Sequence, residues 1–222
     1  MGHSVKRKED ARFLHGKGNY VDDVKLPGML TMVMVRSPYA YAKIKNINKE
    51  KALAIPGVLA VITGEDLAQY NLHWMPTLLS DTQMVLPTDT VMHQSQEVCA
   101  VIATDRYVAV DGAEAVEIDY EPMQAIVDPF KALDEDAPLL RPDKPAHDNH
   151  QPSHRERGDR SKTDDVIANA DVVVKERIYP PRIHVAPIET CGCVASYDKD
   201  TEKLLVYLTT QAPHAIRTVV AL

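Results

Sequence analysis

Gln211 stands in the run Thr210-Gln211-Ala212-Pro213-His214, between a strand-like apolar stretch and a helix-like one. A carboxamide offers both N–H donors and an acceptor, here on a backbone that Pro213 stiffens. Such a group can aim a donor at an oxyanion or a metal-oxo oxygen. Its plainer role is to satisfy a neighbouring backbone group. Cys191 and Cys193 form a Cys-x-Cys, whose thiols on one face of a strand could chelate a soft metal or be redox-active. No second Cys-x-x-Cys and no histidine at zinc spacing accompanies them, so they read as two small side chains packed on a strand face. Cys99 sits in the apolar run Val98-Cys99-Ala100-Val101-Ile102. His184 and Glu189 lie five apart near Cys191 and could form an acid/base pair, although Pro180, Pro181 and Pro187 break the segment that would have to bring them together. His147, His150 and His154 would share a helical face, but Pro152 falls inside the set, and they read as solvent-exposed histidines. Gly16-Lys17-Gly18 lacks the Gly-Lys-Ser/Thr of a phosphate loop and reads as a turn. No Gly-x-Ser-x-Gly, His-Glu-x-x-His or kinase set occurs.

The background to these residues is ordinary. The chain has 222 residues, 45% of them hydrophobic and 26% charged, which is the composition of a globular protein. No apolar run reaches the roughly 18 residues of a membrane span. The basic residues Lys6, Arg7 and Lys8 have no apolar stretch behind them, which argues against a secretory signal and predicts a cytoplasmic address with reduced thiols. Twenty-five basic against 32 acidic residues give a net charge of −7. With no basic stripe, nucleic acid is not an expected partner.

The elements that must position the chemistry fall into three textures. Residues 1–122 alternate short apolar runs with turn signals. Strands are predicted over 29–35, 42–48, 58–62 and 96–104, a short helix over 49–54 and a longer one over 105–116, then another strand from 117 to 120. Thr63, with Asp66 three residues on, predicts a capped helical turn. Residues 123–163 differ: six of the 15 prolines lie between Pro122 and Pro152, and 143–162 has almost no large apolar side chain. That segment reads as a long connection, since it cannot bury enough surface to offset its own ordering. Residues 164–222 resume strand patterning at 171–179 and 203–210, with a turn at 198–201 and a helix opening near Pro213. The last helix stops after two turns at Leu222, which reads as a truncated product. The fold class predicted is α+β.

Several motifs carry a family resemblance. Residues 12–28 (Arg-Phe-Leu-His-Gly-Lys-Gly-Asn-Tyr-Val-Asp-Asp-Val-Lys-Leu-Pro-Gly), Arg36-Ser37-Pro38-Tyr39-Ala40, Pro56-Gly57-Val58 and Asp119-Tyr120-Glu121-Pro122 resemble the opening of the large subunit of molybdenum hydroxylases, the xanthine dehydrogenase/aldehyde oxidase superfamily. Asn71-Leu72-His73-Trp74-Met75-Pro76-Thr77-Leu78, Glu189-Thr190-Cys191-Gly192-Cys193-Val194-Ala195-Ser196 and Gln211-Ala212-Pro213-His214 are most similar to the branch that oxidises carbon monoxide aerobically. The resemblance implies an α/β hammerhead domain over 1–122, then the connecting segment 123–163, then the first strands of the molybdopterin-binding domain over 164–222. It implies oxidation of carbon monoxide to carbon dioxide with water as oxygen source. It also implies molybdopterin cytosine dinucleotide with molybdenum and copper in the full-length subunit, and partnership with an iron–sulfur small subunit and an FAD medium subunit. Gln211 matches the family glutamine that hydrogen-bonds the molybdenum oxygen.

Other parts of the family's machinery have no counterpart here. The glycine-rich Gly-Gly-Gly-Phe-Gly loop, the copper-carrying Cys-Ser-Phe-Arg loop and the base glutamate do not occur in the 222 residues. No copper ligand is therefore assigned to Cys99, Cys191 or Cys193, no metal ligand is expected, and the chain is not expected to bind the cofactor or turn over by itself. The rival readings are a fragment of an aldehyde- or heterocycle-oxidising relative, and a non-catalytic module that docks partner subunits.

Overall fold

The computed structural model describes residues 2–76, 82–141 and 158–221. In chain order the helices and strands are α1 (Asp10–Leu14), β1 (Thr31–Arg36), β2 (Ala42–Asn48), α2 (Glu50–Leu53), β3 (Val58–Thr63), α3 (Gly64–Gln69), β4 (Trp74–Pro76), β5 (Thr82–Met84) and β6 (Thr90–Val91). These are followed by β7 (Glu97–Ala103), α4 (Arg106–Ala115), β8 (Glu117–Pro122), α5 (Arg160–Ala168), β9 (Cys193–Asp198), β10 (Lys203–Leu208) and α6 (Pro213–Ala221). Two compact units divide them. The larger comprises Leu26–Pro152 with Thr218–Leu222, and the smaller Met1–Lys25 with Ser153–Arg217.

The larger unit is organised by β7. Its sequence Glu-Val-Cys-Ala-Val-Ile-Ala is apolar on both faces, as a central strand must be. It pairs antiparallel with β1 on one side and β3 on the other. Val98, Cys99, Val101 and Ala103 are fully buried along it. A second sheet has the order β6-β2-β8, and Ala42, Val91 and Val98 close a smaller core cluster backed by Ile44, Ile47 and Ile118. Both α+β character and the strands predicted at 42–48 and 58–62 are present. The expected strand at 29–35 begins two residues later, with a register shift at Val35/Arg36.

Helix α4 lies on the first sheet at very short range. A Cβ built on Gly112 would stand 2.9 Å from both Val101 Cγ1 and Val58 Cγ2. The glycine that weakens the helix by propensity is thus what lets the helix reach the strands. The Asp105 carboxylate caps α4 by accepting from the backbone N–H groups of Tyr107 and Val108. The predicted cap at Thr63 is present as a reciprocal box: Thr63 Oγ1 accepts from Asp66 N–H, and the Asp66 carboxylate accepts from Thr63 N–H at 2.8 Å. Burial disfavours charge on Asp66, but hydrogen bonds from Lys49 and Thr63 outweigh it and hold its carboxyl below the usual value.

The smaller unit is built differently. Helix α1 closes with Gly16 at φ +66. Gly16 N–H donates to Phe13 O and Lys17 N–H to Arg12 O, the Schellman pattern, so Gly16-Lys17-Gly18 opens with the expected turn. β9 and β10 form an antiparallel hairpin from Cys193↔Leu208 to Asp198↔Lys203. The predicted turn is held by Asp198, whose carboxylate accepts from Thr201 Oγ1 and from the N–H groups of Asp200 and Thr201. Among the described residues of this unit none is buried. The strand expected at 171–179 is not formed: Val172, Val173 and Val174 are 79%, 59% and 83% exposed. β-Branched residues favour extended backbone, but a strand needs a neighbour to accept its hydrogen bonds, and no described segment of this chain pairs with it. Helix α5 starts within the segment expected to be a connection and is capped by Asp159, which accepts from Lys162 N–H.

Candidate functional site

Gln211 lies in the corner between β10 and α6, and the backbone on either side of it is fixed. Two residues before it, Thr209 makes two contacts to the loop that leads into β9. Its N–H donates to Gly192 O and its hydroxyl to Thr190 O, both at 3.2 Å. Thr210 Oγ1 accepts from Ala212 N–H at 3.0 Å. Pro213 then opens α6, and Ile216 N–H donates back to Ala212 O. Proline suits a first helical position because its missing N–H would be unsatisfied there anyway.

The loop at 189–193 is anchored in turn. Val21 N–H donates to Glu189 Oε1 at 3.1 Å. Val21 opens a 3-10 turn, Val21–Asp23, in which Tyr20 N–H donates to Asp23 Oδ2. A Cβ on Gly192 would come within 3.6 Å of Val21 Cγ1. The order of support is therefore Val21, Glu189, the Thr190 and Gly192 carbonyls, Thr209 and Gln211.

Gln211 is exposed, and β10 has no buried residue. The expectation of a carboxamide at the end of a buried strand is corrected: the strand is there, but neither face of the two-stranded ribbon is fully covered. Among the described residues the Gln211 carboxamide makes no hydrogen bond, so both donors are available. Cys191 and Cys193 are exposed free thiols. Only Cys193 lies in β9, so the reading of two side chains packed on a strand face is also corrected. Cys99 is buried, and burial pushes its thiol up to about 11. His184 and Glu189 are not brought together by a hydrogen bond; Glu189 instead holds the Val21 backbone. That role was hidden in the sequence because the contact spans 168 positions. His147, His150 and His154 lie outside the described residues. The Thr190–Thr209 contact was equally unreadable, since a hydroxyl reaches a backbone carbonyl 19 positions away.

No group of three His, Cys, Asp or Glu side chains among the described residues could hold a metal. The fit to a molybdenum cofactor is thus of one kind. The chain offers a free carboxamide on a pinned corner, able to hydrogen-bond a bound group, and offers no coordinating cluster. A separate cleft of about 250 Å³ in the larger unit is lined by Lys49, Thr63 and Asp66 among others. Two of its charges are paired with each other, Lys49 Nζ lying 2.9 Å from Asp66.

Comparison with known proteins finds two family matches along the chain. Residues 15–124 match the family described as aldehyde oxidase and xanthine dehydrogenase, a/b hammerhead domain. Residues 143–222 match the molybdopterin cofactor-binding domain. The chain belongs to the xanthine dehydrogenase/aldehyde oxidase superfamily of molybdenum hydroxylases, as a hammerhead domain joined to the start of a molybdopterin-binding domain.

Among its relatives, the carbon monoxide dehydrogenase large chain of Afipia carboxidovorans is 53% identical, matching 100% of this chain and 29% of its own length. The carbon monoxide dehydrogenase large chain of Hydrogenophaga pseudoflava is 51% identical over 97% of this chain and 28% of its own. A solved structure of the Cu,Mo-CO dehydrogenase in its carbon monoxide-reduced state matches with a TM-score of 0.86 and 52% identity, covering 100% of this chain and 29% of that one. The chain therefore spans less than a third of the length of these relatives. No helix among the described residues is long and apolar enough to cross a membrane.

Proposed function

We propose that this chain is the N-terminal part of the molybdenum-carrying large subunit of a carbon monoxide-oxidising dehydrogenase, active only with the rest of that subunit. The observation that carries the reading is identity of 51% and 53% to two carbon monoxide dehydrogenase large chains, sustained across nearly the whole chain. When bound, the molybdenum cofactor supplies the two-electron chemistry that converts carbon monoxide and water to carbon dioxide, two protons and two electrons. In this reading the cofactor is molybdopterin cytosine dinucleotide with molybdenum and copper. The copper-bearing cysteine lies outside these 222 residues. The electrons leave through an iron–sulfur small subunit and an FAD medium subunit in the cytoplasm.

What this chain's own residues do is narrower. The hammerhead unit is a rigid frame with its own core. In the smaller unit, Gln211 offers a carboxamide N–H toward the bound cofactor from a corner fixed by Thr209, Thr210 and Pro213. A donor placed before the reaction begins needs no reorganisation during it.

The test is to purify the native complex through this chain, measure its molybdenum and copper, and assay carbon monoxide-dependent dye reduction. Molybdenum, copper and carbon monoxide oxidation together support the reading. Oxidation of aldehydes or N-heterocycles without carbon monoxide turnover would assign the chain to another branch. A complex without molybdenum would make it a non-catalytic docking module. In the active complex, Gln211→Ala is expected to lower kcat about 10- to 100-fold, the value of one hydrogen bond to a charged group, with unchanged molybdenum content.

A further inference from the structure

We propose that Thr209 is a positioning residue for Gln211, acting as one half of a clip whose other half is the Thr190–Gly192 backbone. The proposal rests on the functional reading above only for the reaction in which Gln211 takes part.

The geometry is specific. Thr209 uses both of its donors on one loop, N–H to Gly192 O and hydroxyl to Thr190 O. These two carbonyls are two residues apart, so the paired contacts fix both the distance and the twist of the corner relative to the loop. A single hydrogen bond would leave it free to pivot. The loop is not free either, because Glu189 is tied to Val21 N–H. Downstream, the Thr210 side-chain turn and the first turn of α6 restrict the chain again. Gln211 is the residue enclosed by these restraints, and among the described residues its side chain has no hydrogen bond of its own.

The hammerhead unit can orient side chains by packing them in a core. The smaller unit has no buried residue among those described, so orientation here falls to directed hydrogen bonds. A misplacement of about 1 Å at a reacting centre can cost roughly 100-fold in rate. Removing the hydroxyl contact while leaving the Thr209 N–H in place should therefore act on catalysis through Gln211.

The test uses the full complex with Thr209→Val, which keeps shape and backbone donor but loses the hydroxyl. Expected are a fall in kcat of about tenfold, a KM for carbon monoxide within twofold, unchanged molybdenum content, and recovery to within twofold in Thr209→Ser. The Thr209→Val/Gln211→Ala double variant should be no slower than Gln211→Ala alone, because a residue acting through Gln211 has nothing left to position. Independently of turnover, amide hydrogen exchange of a peptide covering 205–216 should rise in Thr209→Val and in Glu189→Leu, which removes the acceptor for Val21 N–H. Losses that multiply in the double variant, or failure of Thr209→Ser to rescue, would overturn the proposal, as would unchanged exchange. A wild-type complex that leaves carbon monoxide untouched would overturn the functional reading instead. The exchange measurement would still decide whether the clip exists.

Discussion

Residues 58–62 and 172–174 are written in the same style, Val-Leu-Ala-Val-Ile and Val-Val-Val, and end in opposite states. The first becomes β3, paired along β7 with Val61 at 5% exposure. The second is an unpaired segment whose three valines all face solvent. Composition does not separate them. What separates them is supply: the larger unit contains, within about a hundred residues, the neighbours that β1, β3 and β7 need, and among the described residues of the smaller unit the only paired strands are those of the β9–β10 hairpin. Apolar patterning states that a segment will be buried; it does not state by what. The relatives matched here are more than three times as long.

A matched pair of substitutions would sharpen this contrast most. Val101→Asp places an unpaired charge in the core and is expected to cost at least about 4 kcal/mol, much of a typical domain's stability. The same change at Val173 should alter the unfolding free energy of this chain by less than about 0.5 kcal/mol. Equal costs in urea titration would mean that the smaller unit has a core after all.

Next in size is the pH response of Cys99. An unfolded thiol ionises from 9.0 and the buried one from about 11. Its stabilising contribution is whole below pH 9 and is lost as pH rises to 11. The loss should reach about 2–3 kcal/mol and vanish in Cys99→Ala. Thiol reagents at pH 8 should modify Cys191 and Cys193 in the folded chain and reach Cys99 only on unfolding.

Gly112→Ala is smaller. Helix propensity gains about 1 kcal/mol, while overpacking against Val58 and Val101 costs about 1–3. A net loss of about 1 kcal/mol is expected by chemical denaturation, and a gain would show that α4 can lift off the sheet freely.

The larger unit was legible for a physical reason. The strands at 42–48 and 58–62, the Thr63–Asp66 cap and the capped helix after Asp105 are settled by neighbours close in sequence. Strands β4, β5 and β6 went unread because two- and three-residue pairings carry no periodicity. In the smaller unit Pro213 marked the corner between β10 and α6 in which Gln211 stands. The buried setting expected for it did not hold, because β10 has no second layer. Glu189 was legible as a carboxylate but not as an anchor, since nothing near it in sequence points to Val21. The family likeness fixed the domain types that periodicity alone could not.

The Val21–Glu189 contact also sets an order of events during synthesis. At about 5–20 residues per second, Val21 leaves the ribosome on the order of 10 to 30 seconds before Glu189 exists. In that interval the whole of the β1–β8 unit emerges and can fold. The first 25 residues are therefore made well before the carboxylate that anchors them, and the corner that carries Gln211 is among the last features of these 222 residues to take shape.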